Sequence, residues 1–233
     1  MKKTFSIKTL FNGAWADYKK TWKLFILIGI IFMLVGLASN LAIGIDPYTG
    51  LPQGSPIIGI LGWALQMFLG LGFIRFLLHI VDGKKYELED IFKGPQSVMH
   101  LVSFAVVTVL YGSIVGLGTL LFVVPGLIAL VGLTFAQYIV AEQKAGIFES
   151  FQHSWSMTEG SRWKIFWLMI VIVLFNILGV LALGVGLLIT IPVTYLISAH
   201  LYRTLGSKLV ADMNEDSKET VIIEETIIIE ETK

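Results

Sequence analysis

The feature that most limits what this chain can fold into is the stretch from Val98 to Ala141, more than 40 residues without a single Asp, Glu, Lys or Arg. A water-soluble helix or strand needs charged or strongly polar side chains on its outer face every few residues. A stretch this long without any has lipid as its solvent. Similar stretches lie at 24–45, 57–74 and 165–199. With 55% hydrophobic residues and 23 glycines among 233, the apolar share reaches about 65%, against roughly 45 to 50% in soluble domains. An ordinary water-soluble enzyme is excluded.

A helix needs about 20 apolar residues to cross the roughly 30 Å hydrocarbon core. The pattern predicts six spans near 24–45, 57–80, 98–118, 121–141, 163–182 and 184–205. The cut between the third and fourth rests on Gly116, Gly118 and Pro125, and that between the fifth and sixth on Gly179, Gly184 and Gly186. A reentrant hairpin is the competing reading at both. The fold class expected is an all-α polytopic membrane bundle in three parts: an interfacial helix at 1–23, a six-helix membrane domain at 24–205 and an acidic tail at 206–233.

Direction follows from the rule that cytoplasmic loops carry the Lys and Arg. Lys2, Lys3, Lys8, Lys19, Lys20 and Lys23 precede the first span; Lys84, Lys85 and Lys93 follow the second; Lys144, Arg162 and Lys164 follow the fourth; Lys208 follows the sixth. The other three loops have none, and the 46–56 loop holds only Asp46. Both termini are therefore placed in the cytoplasm. The first apolar run starts only near Leu24 and is read as a retained helix rather than a cleaved leader.

Ahead of the first span, Ile7, Leu10, Phe11, Ala14, Trp15, Tyr18 and Trp22 recur at three- and four-residue spacing between lysines. That pattern predicts a helix lying in the headgroup region. Ile147, Phe148, Phe151 and Trp155 repeat it ahead of the fifth span, and Phe11, Trp15 and Trp22 align with Phe151, Trp155 and Trp163. Tyr86 to Phe92 holds the equivalent place before the third. Three units of interfacial segment plus hairpin is one reading. Generic aromatic anchoring by Trp15, Trp22, Trp155 and Trp163 is the other.

Within Val123 to Phe166, Pro125 and Gly126 open a span, Glu142 closes it, Ser154 and Trp155 sit on an amphipathic helix, and Gly160, Arg162 and Trp163 precede the next span. This pattern resembles the membrane domain of glycerophosphoryl diester phosphodiesterases and related six-helix bacterial membrane proteins of unknown activity. The resemblance implies a multi-pass protein of the bacterial cytoplasmic (inner) membrane. It implies no reaction, because in the two-domain phosphodiesterases catalysis belongs to a separate soluble barrel.

Phosphate-binding loops, dinucleotide fingerprints, nucleophile elbows and zinc-protease motifs are all missing from the sequence. No enzymatic activity, cofactor or nucleic-acid partner is expected. The spans hold no Asp or Glu away from their ends, which argues against an ion-coupled pump. A polar belt remains: Arg75, His79, His100, Gln137, Glu142, His200 and Arg203. Its histidines are read as headgroup-depth anchors rather than metal ligands, because no carboxylate-histidine spacing supports a metal. Arg75 sits about 7 Å inside its span and either snorkels or pairs with Glu142 or a lipid phosphate. Arg75, His79, Glu142 and Arg203 are the candidate lipid- or anion-binding set.

Deeper in, Asn40, Gln66 and Asn176 are expected to bond between helices, Gly62, Gln66 and Gly70 and the pair Gly112 and Gly116 to form packing faces, and Pro192 to disturb the sixth span. The tail, with its VIIEET and IIIEET words, is read as disordered or as a strand for a cytoplasmic partner. The function expected is a lipid-facing or scaffold membrane module; the alternative is a small uncoupled transporter or channel.

Overall fold

The computed structural model describes residues 5–44, 54–92, 95, 97–182 and 184–207. Asp46, Lys93 and the tail from Lys208 onward lie outside them. All regular elements among the described residues are helices: α1 (Ile7–Ile43), α2 (Pro56–Val81), α3 (Glu89–Phe92), α4 (Val98–Leu121), α5 (Val123–Gly132), α6 (Ala136–Ala141), α7 (Ile147–Thr158), α8 (Arg162–Leu181) and α9 (187–207). Five stretches are long and apolar enough to cross a membrane: Ile7–Leu41, Ile57–Val81, Val98–Leu121, Val123–Ala141 and Arg162–Leu181. Helix α9 completes the third hairpin and carries His200 and Arg203 toward its end. The chain is an all-α membrane helix bundle.

The two doubtful cuts fall where glycine allows backbones to meet. Phe122 alone, with extended backbone (φ −151°, ψ 117°), separates α4 from α5. A Cβ on Gly118 would come within 3.1 Å of Gly126 Cα. Down this hairpin Tyr111 donates to Leu130 O (3.2 Å), and His100 Nε2 lies 2.9 Å from Val140 O. The order is antiparallel. The 24 residues of α4 and the 19 of Val123–Ala141 measure about 36 and 28 Å, each a full crossing by length. Gly179 and Gly186 meet in the same way, with Asn176 Nδ2 donating to Thr194 Oγ1 at 3.0 Å further down α8 and α9.

The expected boundary between an interfacial helix and a first span has no break in the structure. Helix α1 runs unbroken for 37 residues, about 55 Å, because nothing near residue 23 interrupts the backbone ladder. Its first half buries Leu10, Ala14, Tyr18 and Thr21 against the bundle, while Trp15 and Trp22 stay exposed. Helix α7 likewise buries Ser150, Ser154 and Thr158, leaving Phe148 and Trp155 outward. Positions 10, 14 and 18 of α1 thus match 150, 154 and 158 of α7, in the register that the aromatic alignment predicts.

Each hairpin is preceded by such an element, and each element docks on the second helix of another hairpin. Helix α3 lies on α2, where a Cβ on Gly72 would overlap the Ile91 carbonyl. Helix α7 lies on α5 and α6, where Gly132 abuts the Trp155 ring. The first half of α1 lies across α9, where Gly13 abuts the His200 ring. The three dockings close a ring. At the opposite end the hairpin tips are apolar yet exposed: Leu41 (74%), Leu120 (81%) and Leu181 (72%). Exposure of that kind on three separate tips requires lipid around them.

Near these docking points one membrane helix is broken and another lacks a ladder hydrogen bond, and the docked elements supply what is missing. At the turn between α5 and α6, Ser154 Oγ donates to Gly132 O (2.9 Å) and accepts from Phe135 N (3.1 Å). Thr158 Oγ1 adds a bond to Gly132 O at 3.3 Å. In α9, Pro192 has no N–H for the Leu188 carbonyl four residues back, and Tyr18 OH donates to it at 3.2 Å. Away from water an orphaned carbonyl is costly, so these hydroxyls hold the docking in place. The Gly112 and Gly116 pair departs from expectation. A Cβ on either would meet nothing within 4 Å, because α4 turns that stripe away from its partners.

Candidate functional site

Helices α2 and α6 end alike. In both, an acid closes the helix (Asp82, Glu142), the next residue takes positive φ (Gly83 66°, Gln143 55°), and a lysine follows (Lys84, Lys144). Lys84 N reaches His79 O and Lys144 N reaches Ile139 O, at 3.0 and 3.1 Å. Gly83 N and Gln143 N return to Ile80 O and Val140 O. These are two Schellman motifs, and they aim both acids at one point.

Arg203 of α9 occupies that point. Its Nε and Nη2 reach the two Asp82 oxygens at 2.6 and 2.7 Å, and its Nη1 lies 2.7 Å from Glu142 Oε1. Tyr202 OH donates to Glu142 Oε2 at 2.7 Å, Lys144 Nζ lies 2.8 Å from it, and Lys84 Nζ lies 3.3 Å from Asp82. One guanidinium thus ties together the charged ends of the second helices of all three hairpins. Burial alone would raise the Glu142 pKa. The hydrogen bonds from Lys144, Tyr202 and Arg203 and the Arg203 charge outweigh burial and hold it below the usual carboxylate range.

Beside this cluster is a polar cavity of about 160 Å³ lined by Arg75, His79, Asp82, Lys84, Glu142 and Arg203, with Leu78 and Ala141. All four residues of the candidate anion-binding set therefore line one cavity. The guanidinium seated on Glu142 is that of Arg203, whereas Arg75 Nε donates to Ala141 O at 3.2 Å. Asp82, Lys84, Tyr202 and Lys144 were not in the set. The signal for Asp82, Lys84 and Lys144 in the sequence was the pair Asp82-Gly83-Lys84 and Glu142-Gln143-Lys144, which close two apolar helices in the same way.

The histidines of the polar belt go to separate partners. His79 Nδ1 lies 3.9 Å from Asp90 Oδ2, His100 faces Val140 O, and His200 Nε2 lies 2.9 Å from Asp17 Oδ2, joining α9 to α1. The amides divide: Asn176 bonds between helices, whereas Asn40 Nδ2 donates within its own helix to Gly36 O (2.8 Å). All four candidate anchors are exposed: Trp15 and Trp22 at 44%, Trp155 at 39%, Trp163 at 71%. Trp22 has Lys23 Nζ 5.7 Å above its ring, and Trp155 has the Arg162 guanidinium at 3.8 Å.

Two further cavities open between helices. One, of about 330 Å³, is lined by Phe25, Ile28 and Phe32 of α1, Phe73 of α2, and Leu187, Ile191 and Tyr195 among others of α9. The other, of about 250 Å³, lies between α5 and α8. The first is walled by apolar side chains and Tyr195, the second by apolar side chains and the stem of Arg162. Compared with known proteins, the chain matches no protein-family model, no curated protein and no solved structure.

Proposed function

We propose that this membrane protein is a non-catalytic, lipid-facing module of a bacterial cytoplasmic membrane, with its termini and the Asp82–Arg203–Glu142 cluster on the cytoplasmic side. The observation that supports this most is the character of the two larger cavities. They open between spanning helices and are walled mainly by Phe, Ile, Leu and Val, which suits acyl chains. Exposed tryptophans beside Lys23 and Arg162 suit headgroups at the same surface. An uncoupled transporter or channel would need polar side chains along such openings, and the polar cavity beside Arg203 is small and crossed by ion pairs. The resemblance to the phosphodiesterase membrane domain belongs to the same proposal. Its shared residues Gly126, Ser154, Trp155 and Arg162 all make close packing or hydrogen-bonding contacts here.

The test is lipid retention. The full chain, purified in a mild detergent, should carry phospholipid detectable by native mass spectrometry, and delipidation should lower its melting temperature until phosphatidylglycerol is restored. A lipid-free protein whose stability ignores added phospholipid would remove this reading. Solute flux through protein-loaded liposomes above that of empty ones would favour the channel.

A further inference from the structure

We infer that Lys19, Lys20 and Lys23, grouped around Trp22 on α1, form a docking face for the phosphate of an anionic phospholipid. This rests on the lipid-facing reading and adds to it a place and a headgroup charge. Helix α1 has no break between its two halves, so one face can be followed along its whole length. From Lys23, steps of four and three residues reach Leu27, Ile30, Leu34, Leu37 and Leu41, all of them exposed. Such steps keep to one side of a helix, and large apolar side chains bare along a spanning helix have lipid around them. Followed the other way, the same face carries Lys19, Trp15, Asn12 and Lys8, which are exposed too. The lysines therefore continue the lipid boundary of the span at the point where hydrocarbon gives way to headgroups. Lys19 to Lys23 covers about 6 Å of helix axis, close to the roughly 5 to 8 Å that headgroups occupy on each side of the core.

The three ammonium groups have no anion of their own. Asp17 is the only acid in α1, and it is paired with His200 Nε2 at 2.9 Å. None of the three lysines makes an ion pair among the described residues, in contrast to Lys84 and Lys144. Lys19 and Lys23 stand four residues apart, where like charges on a helix repel. A phosphate between them replaces that repulsion with two charge-assisted bonds, and Lys20 adds its charge from beside them. Trp22, 44% exposed with Lys23 Nζ 5.7 Å over its ring, lies at the same depth as an aromatic anchor. A soluble anion would leave Trp22 and the apolar stripe beyond it unused. A phospholipid engages the whole face: its phosphate meets the lysines, its glycerol region Trp22, and its chains Leu27 and Ile30.

The experiment uses the full chain in phosphatidylcholine nanodiscs doped with phosphatidylglycerol or phosphatidylcholine brominated on its acyl chains. The Trp22 signal is obtained as wild type minus Trp22→Phe. Brominated phosphatidylglycerol should quench it at concentrations about tenfold lower than brominated phosphatidylcholine. That margin is below the roughly fivefold per lysine that an anionic surface can supply, because phosphatidylcholine also presents a phosphate. Changing Lys19→Gln and Lys23→Gln together should abolish the margin, whereas Lys19→Arg with Lys23→Arg should keep it. Potassium chloride at about 1 M, where charges are screened within about 3 Å, should also erase it. Equal quenching by the two lipids in the wild type, or a margin that survives the double Gln change, would overturn the site. Carbodiimide cross-links from Lys19 or Lys23 to Glu224 or Glu225, formed in phosphatidylglycerol discs, would give the face to the acidic tail and overturn it as well. If Trp22 shows no preference while native mass spectrometry still finds retained phospholipid, this site is wrong and the lipid-facing reading stands. Loss of both removes both.

Discussion

Replacing Arg203 by Gln should loosen the packing of all three hairpins at once. The guanidinium makes a two-point bond to Asp82 and a further one to Glu142, with side chains 25%, 19% and 18% exposed respectively. Removing one partner of a buried pair costs about 3 to 5 kcal/mol, and an exposed pair is worth about 0 to 1. These side chains are mostly buried, but Lys84 and Lys144 remain to neutralise the two acids. An intermediate loss of about 2 to 3 kcal/mol follows. At about 2 to 4 °C per kcal/mol for a chain of this size, thermal unfolding in detergent, followed by tryptophan fluorescence, should drop by about 5 to 10 °C. Arg203→Lys should recover about half, because an ammonium cannot fork onto Asp82 and still reach Glu142. Adding Asp82→Asn and Glu142→Gln to Arg203→Gln should cost less than the sum of the single losses, since the bonds those acids made to Arg203 are already gone. A melting point for Arg203→Gln within about 1 °C of wild type, or fully additive losses, would refute the argument.

Four other outcomes are expected. Tyr18→Phe should cost about 1 kcal/mol by orphaning Leu188 O, and less in a Pro192→Ala background, where the restored N–H takes that carbonyl; equal costs in the two backgrounds would disprove the capping role. Gly132→Ala should lower the melting point because its Cβ would lie 2.6 Å from the Trp155 ring, whereas Gly116→Ala should be neutral; thermal scans of both variants decide. Folding lowers the Glu142 pKa, so its carboxylate stabilises the fold above the unfolded value of about 4.3, and the gain fades as pH falls through the folded value. Stability of the wild type should therefore fall in acid more steeply than that of Glu142→Gln. Cysteines placed singly at Thr49 and Lys85 in this cysteine-free chain should react with an impermeant reagent from opposite sides of the membrane.

The sequence alone determined the solvent of this protein and where its long apolar runs turn. Uncharged runs of span length leave no soluble alternative, and glycine and proline mark where a long run must turn. Both are local properties that need no partner to be read. The candidate set Arg75, His79, Glu142 and Arg203 was also legible, since charged residues at span ends share a depth whatever the packing. Only the tertiary structure decided which charges pair. Glu142 ends α6 and Arg203 lies near the end of α9, 61 positions apart, and their meeting depends on how three hairpins close into a ring. The faces of α1 and α7 were likewise undecided. Aromatics at helical spacing mark a lipid boundary as well as a core, and what turned Ser154 inward was the broken backbone at Gly132, a demand for hydrogen bonds made by a different helix.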